Sequence, residues 1–310
     1  MTDMNNLILN LIKSNKSMKD ICHILKISEK QLFIRIKQII NYGYNIKPNY
    51  NIDSDIYYEI IKGKIHEKTN LIKINTPIDL DSFRCLVISD IHVGNIDSNI
   101  DLLNYVYEYA SKNGINYILN CGDNIEGDYT TSKRNINNVE KQVETFINKH
   151  PYDKDIKDIM IFGNHDRYSL KDNGFDVARK IENSRHDLIS AGYGQANVNI
   201  KDDNLVLFHK LTEDYKLILN NDEKIILSGH GHMMKTKLKD ELWLCIPTLS
   251  NSSVDKTKEI LPGFIDLKIT FDNNKFDYVE AKHLIITPKV IEVSESKCKV
   301  KDLNKFKWDS

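Results

Sequence analysis

The 310-residue chain lacks the features that mark secreted or membrane-spanning proteins. It has five cysteines, an odd number, and no two of them form the Cys-x-x-Cys pair that is typical of cysteine zinc sites. No apolar stretch approaches the roughly 20 residues that a helix needs to cross a bilayer, and the N-terminus has no basic and apolar signal segment. We therefore expect a soluble, cytoplasmic protein in a reducing compartment, without a membrane partner.

The chain also lacks an overall excess of charge, since its formal net charge is −1. The charge is nevertheless uneven: residues 1–48 contain eight Lys or Arg and three Asp or Glu, a balance of +5 that leaves −6 for the remainder. The apolar content of 41% is enough for real hydrophobic cores, and the length suits about two domains. The sequence thus predicts a folded protein whose N-terminal end is basic.

Apolar residues recur at helical spacing in three successive segments of this basic end. The residues predicted to face inward are Leu7, Ile8, Leu11 and Ile12, then Met18, Ile21, Cys22 and Leu25, then Leu32, Phe33, Ile36, Ile39 and Ile40. Ser28 and Gln31 have the spacing of a capping box at the start of the third helix. The short break before that helix resembles a helix-turn-helix, and two strand-like runs within residues 43–60 resemble the wing of a winged helix domain.

The third predicted helix has a polar and basic outer face. The candidate contacts to nucleic acid on this face are Lys30, Gln31, Arg35 and Lys37. Because phosphates require a basic footprint, binding to DNA or RNA is the favoured prediction, with a dimerisation or protein-docking module as the alternative. The oligomeric state is left open. We predict that this domain covers residues 1–62, followed by a linker at 63–82, a second domain at 83–293 and a loose tail at 294–310.

From residue 83 onward, five apolar strand-like runs end in oxygen or imidazole side chains. The terminal residues are Asp90 and His92, then Asp123, then Asn164, His165 and Asp166, then His209, and finally His230 and His232. One such residue is usually a satisfied turn residue, but the ends of neighbouring strands gather in one cleft. Without bound cations, carboxylates and histidines gathered there would repel one another or stay unpaired at a high cost in free energy. The pattern therefore predicts a metal centre.

In this order the five motifs resemble those of the calcineurin-like metallophosphoesterase family. They are D-x-H at Asp90–His92, G-D-x-x-D/E at Gly122–Glu126, G-N-H-D/E at Gly163–Asp166, an isolated His209 and G-H-x-H at Gly229–His232. Five spaced motifs in one order form a specific signal. The resemblance implies an α/β fold, a four-layer αββα metallophosphoesterase sandwich, which is preceded here by the small winged helix-turn-helix domain.

The resemblance also implies two divalent metal ions, with Mn favoured and Fe or Zn as options for mixed nitrogen and oxygen ligands. One ion would be bound by Asp90, His92, Asp123 and His232, and the other by Asp123, Asn164, His209 and His230. By the same resemblance, His165 would lie near the leaving oxygen and protonate it, with Asp166 orienting its ring. Arg167 and Lys210 are candidate phosphate contacts, with plain surface charge as the alternative reading.

The sequence therefore predicts a dinuclear metal-dependent phosphoesterase that acts on a phosphate-ester substrate. Its basic N-terminal end favours a phosphodiesterase or nuclease that is brought to DNA or RNA. One alternative is a phosphomonoesterase or cyclic-nucleotide phosphodiesterase whose N-terminal domain dimerises or docks to protein. Another is a DNA-binding regulator with a sensing phosphoesterase-like domain, against which the intact set of ligands argues.

Overall fold

A computed structural model describes residues 1–50, 56–61, 70–77, 79–128, 133–213, 216–219, 223–238, 240–251 and 261–305. The helices are α1 (Asp3–Lys13), α2 (Met18–Leu25), α3 (Glu29–Asn41), α4 (Leu102–Lys112), α5 (Val139–Lys149), α6 (Asn164–Asn173) and α7 (Val177–Glu182). The strands are β1 (Ile46–Tyr50), β2 (Ile56–Ile60), β3 (Asn70–Ile74), β4 (Ser82–Ile88), β5 (Tyr117–Asn120), β6 (Lys157–Phe162), β7 (Leu188–Tyr193), β8 (Gln195–Ile200), β9 (Asp203–Phe208), β10 (Ile225–Ser228), β11 (Lys235–Leu238), β12 (Leu242–Cys245), β13 (Gly263–Asp272), β14 (Lys275–Ile286) and β15 (Val290–Lys299). A 3-10 helix, Val300–Lys305, follows β15.

Three helices and a two-stranded antiparallel sheet form the N-terminal unit. The helices α1, α2 and α3 each begin at a hydroxyl cap, because the side chains of Thr2, Ser17 and Ser28 accept a hydrogen bond from a backbone N–H three residues later. The predicted capping box is present, with the Ser28 N–H donating to Gln31 Oε1 at 2.8 Å. Lys26 adopts the left-handed conformation (φ 50°) after α2, which turns the chain sharply into α3.

In two helices, α1 and α3, the buried face differs from the predicted one. Leu7 and Phe33 were predicted to face inward, but they expose 49% and 52% of their surface. In α1 the buried position is taken instead by Leu9, which is 3% exposed. Ile34 is also 48% exposed, so an apolar patch lies on α3 between its basic residues. No helix among the described residues is long and apolar enough to cross a bilayer.

The N-terminal unit packs against the rest of the chain through a short strap, formed by residues 43–45 and 174–176. The backbones of these two segments exchange hydrogen bonds of 2.8 and 3.1 Å. Tyr44 contacts Phe175 edge-on, with ring centroids 5.3 Å apart, and donates a hydrogen bond of 2.8 Å to Glu140 in α5. Apolar residues of the unit and of the body belong to one hydrophobic core, so the two parts form a continuous structure.

The body contains two sheets that pack face to face. Among the described strands, the larger sheet has the order β15-β14-β13-β4-β5-β6-β7 and the smaller has the order β11-β12-β10-β9-β8-β3. Side chains of both sheets fill the space between them, among them Val87, Leu119 and Leu227. The residues adjacent to Val87 and Leu119 in the chain, Ile88 and Ile118, face the other side of the larger sheet and pack with α4, α5 and α7. This alternation is the period of two expected for strands.

The structure differs from the sequence-based expectation in three segments of the body. Strand β3 lies within the segment predicted as a linker and pairs in parallel with β8. Residues 294–299 belong to β15, which pairs with β14, and do not form a loose tail. Residues 63–69 of the predicted linker and 306–310 of the predicted tail lie outside the described residues. The helices α4 to α7 all connect strands of the larger sheet, so the described residues do not form the expected second helical layer on the smaller sheet.

The order of the strands brings five strand ends to the same side of the sandwich. Strands β4, β5 and β6 are parallel neighbours in the larger sheet, so their carboxyl ends lie side by side. Strands β9 and β10 are parallel neighbours in the smaller sheet. The hydrogen bond between the Asp90 carboxylate after β4 and the backbone N–H of His230 after β10, 3.0 Å long, joins the two sets of loops.

Candidate metal centre

The polar residues predicted at the five strand ends come together in the structure. Within the described residues, one group of converging ligand atoms comes from Asp90, His92 and His232, and another from Asp123, His209 and His230. In each group the ligand atoms lie within 4.8 Å of one another. A third group, of His92, Glu126 and His165, shares His92 with the first. The first two groups are compatible with the division that the resemblance implies.

The first group has the spacing of donors around a cation. His232 Nε2 lies 3.1 Å from His92 Nε2 and 3.2 Å from Asp90 Oδ1. The third side of this triangle, from His92 Nε2 to Asp90 Oδ1, is 3.7 Å. Ligand atoms of a tetrahedral ion with bonds near 2.0–2.1 Å lie about 3.3 Å apart. Asp90 Oδ1 is buried and accepts no hydrogen bond from the described residues, which leaves this oxygen available to a metal ion.

The second group includes an amide oxygen. Asn164 Oδ1 lies 3.0 Å from His230 Nδ1 and 3.2 Å from His209 Nε2. Asp123 Oδ2 is 3.1 Å from the same His209 nitrogen, and it is also 3.8 Å from His92 Nε2 in the first group. Asp123 therefore lies between the two groups, where a carboxylate can bridge two ions.

The predicted ligand residues lie on strained loops. Five of them have a positive φ: Asp90 (57°), His92 (53°), Asp123 (54°), His230 (73°) and His232 (48°). This left-handed conformation is unfavourable for residues other than glycine, and it persists where the surrounding structure imposes it, commonly at functional sites. Here backbone hydrogen bonds between the loops impose it, for example from His92 N–H to the Asp123 carbonyl at 3.0 Å.

Two of the glycines beside the ligands are required by close approach. A Cβ on Gly163 would collide with Asp123 Oδ1, and a Cβ on Gly229 would collide with the Ser89 hydroxyl. By contrast, a Cβ on Gly231 would make only ordinary van der Waals contact, because the nearest heavy atom is 3.5 Å away.

Hydrogen bonds from outside the two groups orient the imidazole rings. His209 Nδ1 donates to the Cys121 carbonyl at 2.7 Å, and His92 Nδ1 lies 2.9 Å from Glu126 Oε2. Each contact leaves the Nε2 atom of its ring facing the centre, as is typical of metal-binding histidines. Glu126 had no role in the sequence analysis. The last position of the G-D-x-x-D/E motif was the only signal for it.

His165 contacts Glu126, whereas Asp166 binds backbone N–H groups and not the His165 ring that it was predicted to orient. His165 Nδ1 donates to the Glu126 carbonyl at 2.8 Å and lies 3.7 Å from Glu126 Oε1. The Asp166 carboxylate, which was expected to orient the His165 ring, accepts backbone N–H bonds from Gly163 at 2.8 Å and from Ile125 at 3.0 Å. Asp166 occupies the N3 position of α6, so its side chain turns back toward the free N–H groups at the helix start.

Burial and mutual contact shift the ionisation of these groups. Burial raises the pKa of Asp90 and Asp123, but the nearby histidines outweigh it and hold both pKa values well below the ordinary range. Burial, followed by the charge of Asp123, raises the pKa of Asp166 to about 7. Burial also lowers the pKa of His165 and His230. Anionic carboxylates and a neutral His230 imidazole are the forms that bind divalent cations.

The candidate phosphate contacts lie beside the centre. Arg167 and Lys210 line a cleft of about 350 Å³ that also includes Asn164 and His230. Lys210 Nζ pairs with Glu213 Oε2 at 2.6 Å. The prediction that Arg167 and Lys210 contact phosphate is therefore compatible with their position.

The candidate nucleic-acid contacts lie on α3, in the N-terminal unit. Lys30, Gln31 and Lys37 are exposed there. Arg35 is partly buried, and its Nη1 lies 3.5 Å from Thr2 Oγ1. The Arg35 guanidinium therefore extends toward the start of α1.

Comparison with known proteins bears on the same part of the chain. Residues 83–257 match the sequence model of the calcineurin-like phosphoesterase superfamily domain. No curated protein matches the chain. Among solved structures, vacuolar protein sorting 29 from Cryptosporidium parvum is 16% identical, with a TM-score of 0.43 over 70% of this chain and 98% of that one.

Two further structures show similar coverage. The phosphoesterase YfcE from E. coli is 16% identical, with a TM-score of 0.43 over 69% of this chain and 98% of that one. The nuclease MPE from Pseudomonas putida is 13% identical, with a TM-score of 0.33 over 72% of this chain and 96% of that one. Because the superfamily model matches more than half of the chain, at the residues that build the site, this protein belongs to the calcineurin-like phosphoesterase superfamily.

Proposed function

We propose that this protein is a dinuclear metal-dependent phosphodiesterase that acts on nucleic acid. The observation that carries the proposal is the pair of converging donor groups, with Asp123 between them at 3.1 Å from His209 Nε2 and 3.8 Å from His92 Nε2. Two divalent ions held there would polarise the phosphate and supply a nucleophile from water at neutral pH.

The donors that would hold each ion follow from the distances. Asp90, His92 and His232 would bind one ion, Asn164, His209 and His230 the other, and Asp123 both. Imidazole nitrogens combined with carboxylate and amide oxygens suit Mn, Fe or Zn better than Ca. The buried Asp90 and Asp123 also contribute two negative charges, which partly balance the cations and leave a net positive charge for the substrate.

His165 is the group that would move a proton. With Nδ1 donating to the Glu126 carbonyl, Nε2 is the atom that gains a proton and releases it to the leaving oxygen. The Glu126 carboxylate, 3.7 Å from Nδ1, would stabilise the imidazolium form. Burial lowers the pKa of His165, which makes its protonated form a stronger acid.

The N-terminal unit supports nucleic acid as the substrate. It has three helices and a two-stranded antiparallel sheet, which supports the proposed winged helix domain, and its α3 helix exposes Lys30, Gln31 and Lys37. Basic residues on an exposed helix are the footprint that a phosphate backbone requires. In this proposal the unit brings the phosphoesterase to DNA or RNA.

A second candidate has one observation in its favour. Phe33 and Ile34 are each about half exposed on the same helix, which suits a protein-docking or dimerisation surface. The enzyme would then be a phosphomonoesterase or cyclic-nucleotide phosphodiesterase. Changing Lys30 and Lys37 to Gln distinguishes the two candidate functions, because only the nucleic-acid phosphodiesterase is expected to bind nucleic acid more weakly after this change.

A substrate panel tests the proposed activity. Purified protein is loaded with Mn and incubated with a model diester, a model monoester, a cyclic nucleotide and single- and double-stranded nucleic acid. We expect hydrolysis of the diester and of nucleic acid, and none by Asp123→Asn. Preference for the monoester or the cyclic nucleotide, with intact nucleic acid, would overturn the proposal in favour of the second candidate.

A further inference from the structure

One face of α6 forms the wall of the cleft beside the metal centre. The cleft begins at Asn164 and His230, both proposed ligands, and continues along α6 past Arg167, Tyr168 and Lys171. The α6 positions are spaced by three and four residues, so their side chains lie on one side of the helix. Seven residues of α-helix rise about 10 Å, so this face extends well beyond the centre itself.

The cleft has a positive charge. Its charged side chains are those of Arg167, Lys171, Lys210 and Glu213. Glu213 pairs with Lys210, but 92% of the Glu213 side chain is exposed, and ion pairs in water contribute little free energy. The excess of cations suits a ligand that carries more than the one phosphate bound at the metal centre.

Tyr168 adds an aromatic ring to this wall, between Arg167 and Lys171 in the sequence and on the same side of α6. A cation-lined groove with an aromatic side chain is the arrangement that binds single-stranded nucleic acid, because cations follow the backbone and bases stack on the ring. The volume of about 350 Å³ is near the lower end of small-molecule sites. It suits one nucleotide of a single strand.

We propose that this cleft binds the nucleotide next to the scissile phosphate of a single-stranded nucleic acid. Lys171 contacts the neighbouring phosphate and the base stacks on Tyr168. The position of the scissile phosphate rests on the proposed function, whereas the substrate class, a single-stranded polynucleotide, goes beyond it.

The test uses the full chain loaded with Mn and two variants, Tyr168→Leu and Lys171→Gln. Lys149→Gln is the matched control, because Lys149 is an exposed lysine in the last turn of α5 and does not line the cleft. The kcat/KM is measured for a six-nucleotide single strand and for a small model diester, and the ratio of the two values is compared between variants. Circular dichroism and thermal melting verify that each variant is folded.

We expect Tyr168→Leu to lower this ratio by about 5- to 150-fold, the effect of losing one base stack. Lys171→Gln should also lower the ratio, and it should reduce the slope of log affinity against log salt by about 0.7, the value for one phosphate of a single strand. Affinity is measured by fluorescence anisotropy in the His165→Ala background, in which the strand is cleaved slowly. The Lys149→Gln control should match the wild type.

The outcomes separate the two proposals. If the wild type hydrolyses the model diester, but both cleft variants keep the wild-type ratio and affinity, the cleft proposal is wrong and the proposed function stands. If the wild type hydrolyses neither substrate, the proposed function is wrong, and anisotropy still decides the cleft proposal. Weaker binding by both variants would then support the cleft, and unchanged binding would overturn it.

Discussion

Glu126→Gln tests how the metal centre is supported, because this change keeps the shape of a buried side chain and removes its charge. Glu126 is 1% exposed, and its Oε2 lies 2.9 Å from His92 Nδ1. A hydrogen bond to a charged group contributes about 1.5–3 kcal/mol and one between neutral groups about 0.5–1.5 kcal/mol. The difference, about 1–1.5 kcal/mol, corresponds to roughly a tenfold change in an equilibrium constant.

We therefore expect Glu126→Gln to weaken Mn binding by about tenfold, at the lower end of the 10- to 100-fold loss that is typical of such supporting residues. The assay is hydrolysis of a model diester at a series of buffered free Mn concentrations. The concentration that gives half-maximal activity should rise about tenfold. The rate at saturating Mn should fall as well, because the Glu126 carboxylate also lies 3.7 Å from His165.

Two controls separate these effects. His165→Ala should lower the saturating rate by about 10²- to 10⁴-fold while leaving the Mn midpoint unchanged. Glu108→Gln, which changes an exposed carboxylate paired with Lys112 on α4, should leave both quantities unchanged. A Glu126→Gln protein with the wild-type Mn midpoint would refute the reasoning, since it would mean that Glu126 does not act through His92.

Three further predictions follow from the same contacts. Asp123→Asn should lose both ions, so elemental analysis that still finds two ions per chain would contradict its bridging position. Gly163→Ala should lose metal and activity because the new methyl group meets Asp123 Oδ1, whereas Gly231→Ala should retain both, as the same metal analysis and diester assay will measure. Tyr44→Phe removes the 2.8 Å hydrogen bond to Glu140 and should lower the free energy of unfolding by about 1 kcal/mol in a denaturant titration, while an unchanged value would show that this contact contributes nothing.

The sequence predicted the site better than it predicted the surroundings of the site. Predicted ligands such as Asp90, Asp123 and His209 follow strands, and the carboxyl ends of parallel neighbours must meet whatever the rest of the fold does. The roles of Glu126 and Asp166 could not be read in this way. Both side chains bind groups on other loops, so their partners depend on loop geometry that the motif spacing does not contain.

The apolar periodicity of the sequence also failed to predict which face of a helix is buried and which segment forms an edge strand. Phe33 follows the helical spacing of the core residues, yet it lies on the exposed side of α3. Tertiary packing decides which face of a helix is buried against the rest of the protein. Strand β15 lies at the edge of its sheet and is mostly exposed on both faces, with Cys298 as its one buried residue. Such a strand has no apolar alternation, so its sequence reads as a polar tail.

One helix connects the three parts of the functional proposal. Helix α6 begins at Asn164, a proposed ligand, carries Tyr168 and Lys171 along the cleft, and is followed at once by residues 174–176 of the strap that holds the N-terminal unit. A nucleic-acid strand that follows the cleft away from the metal centre would therefore run along α6 toward the N-terminal unit. Because the strap and the shared core fix that unit to the body, nucleic acid bound on α3 would be held in a defined position relative to the centre. Recruitment and cleavage would then be coupled by geometry, without any change of conformation.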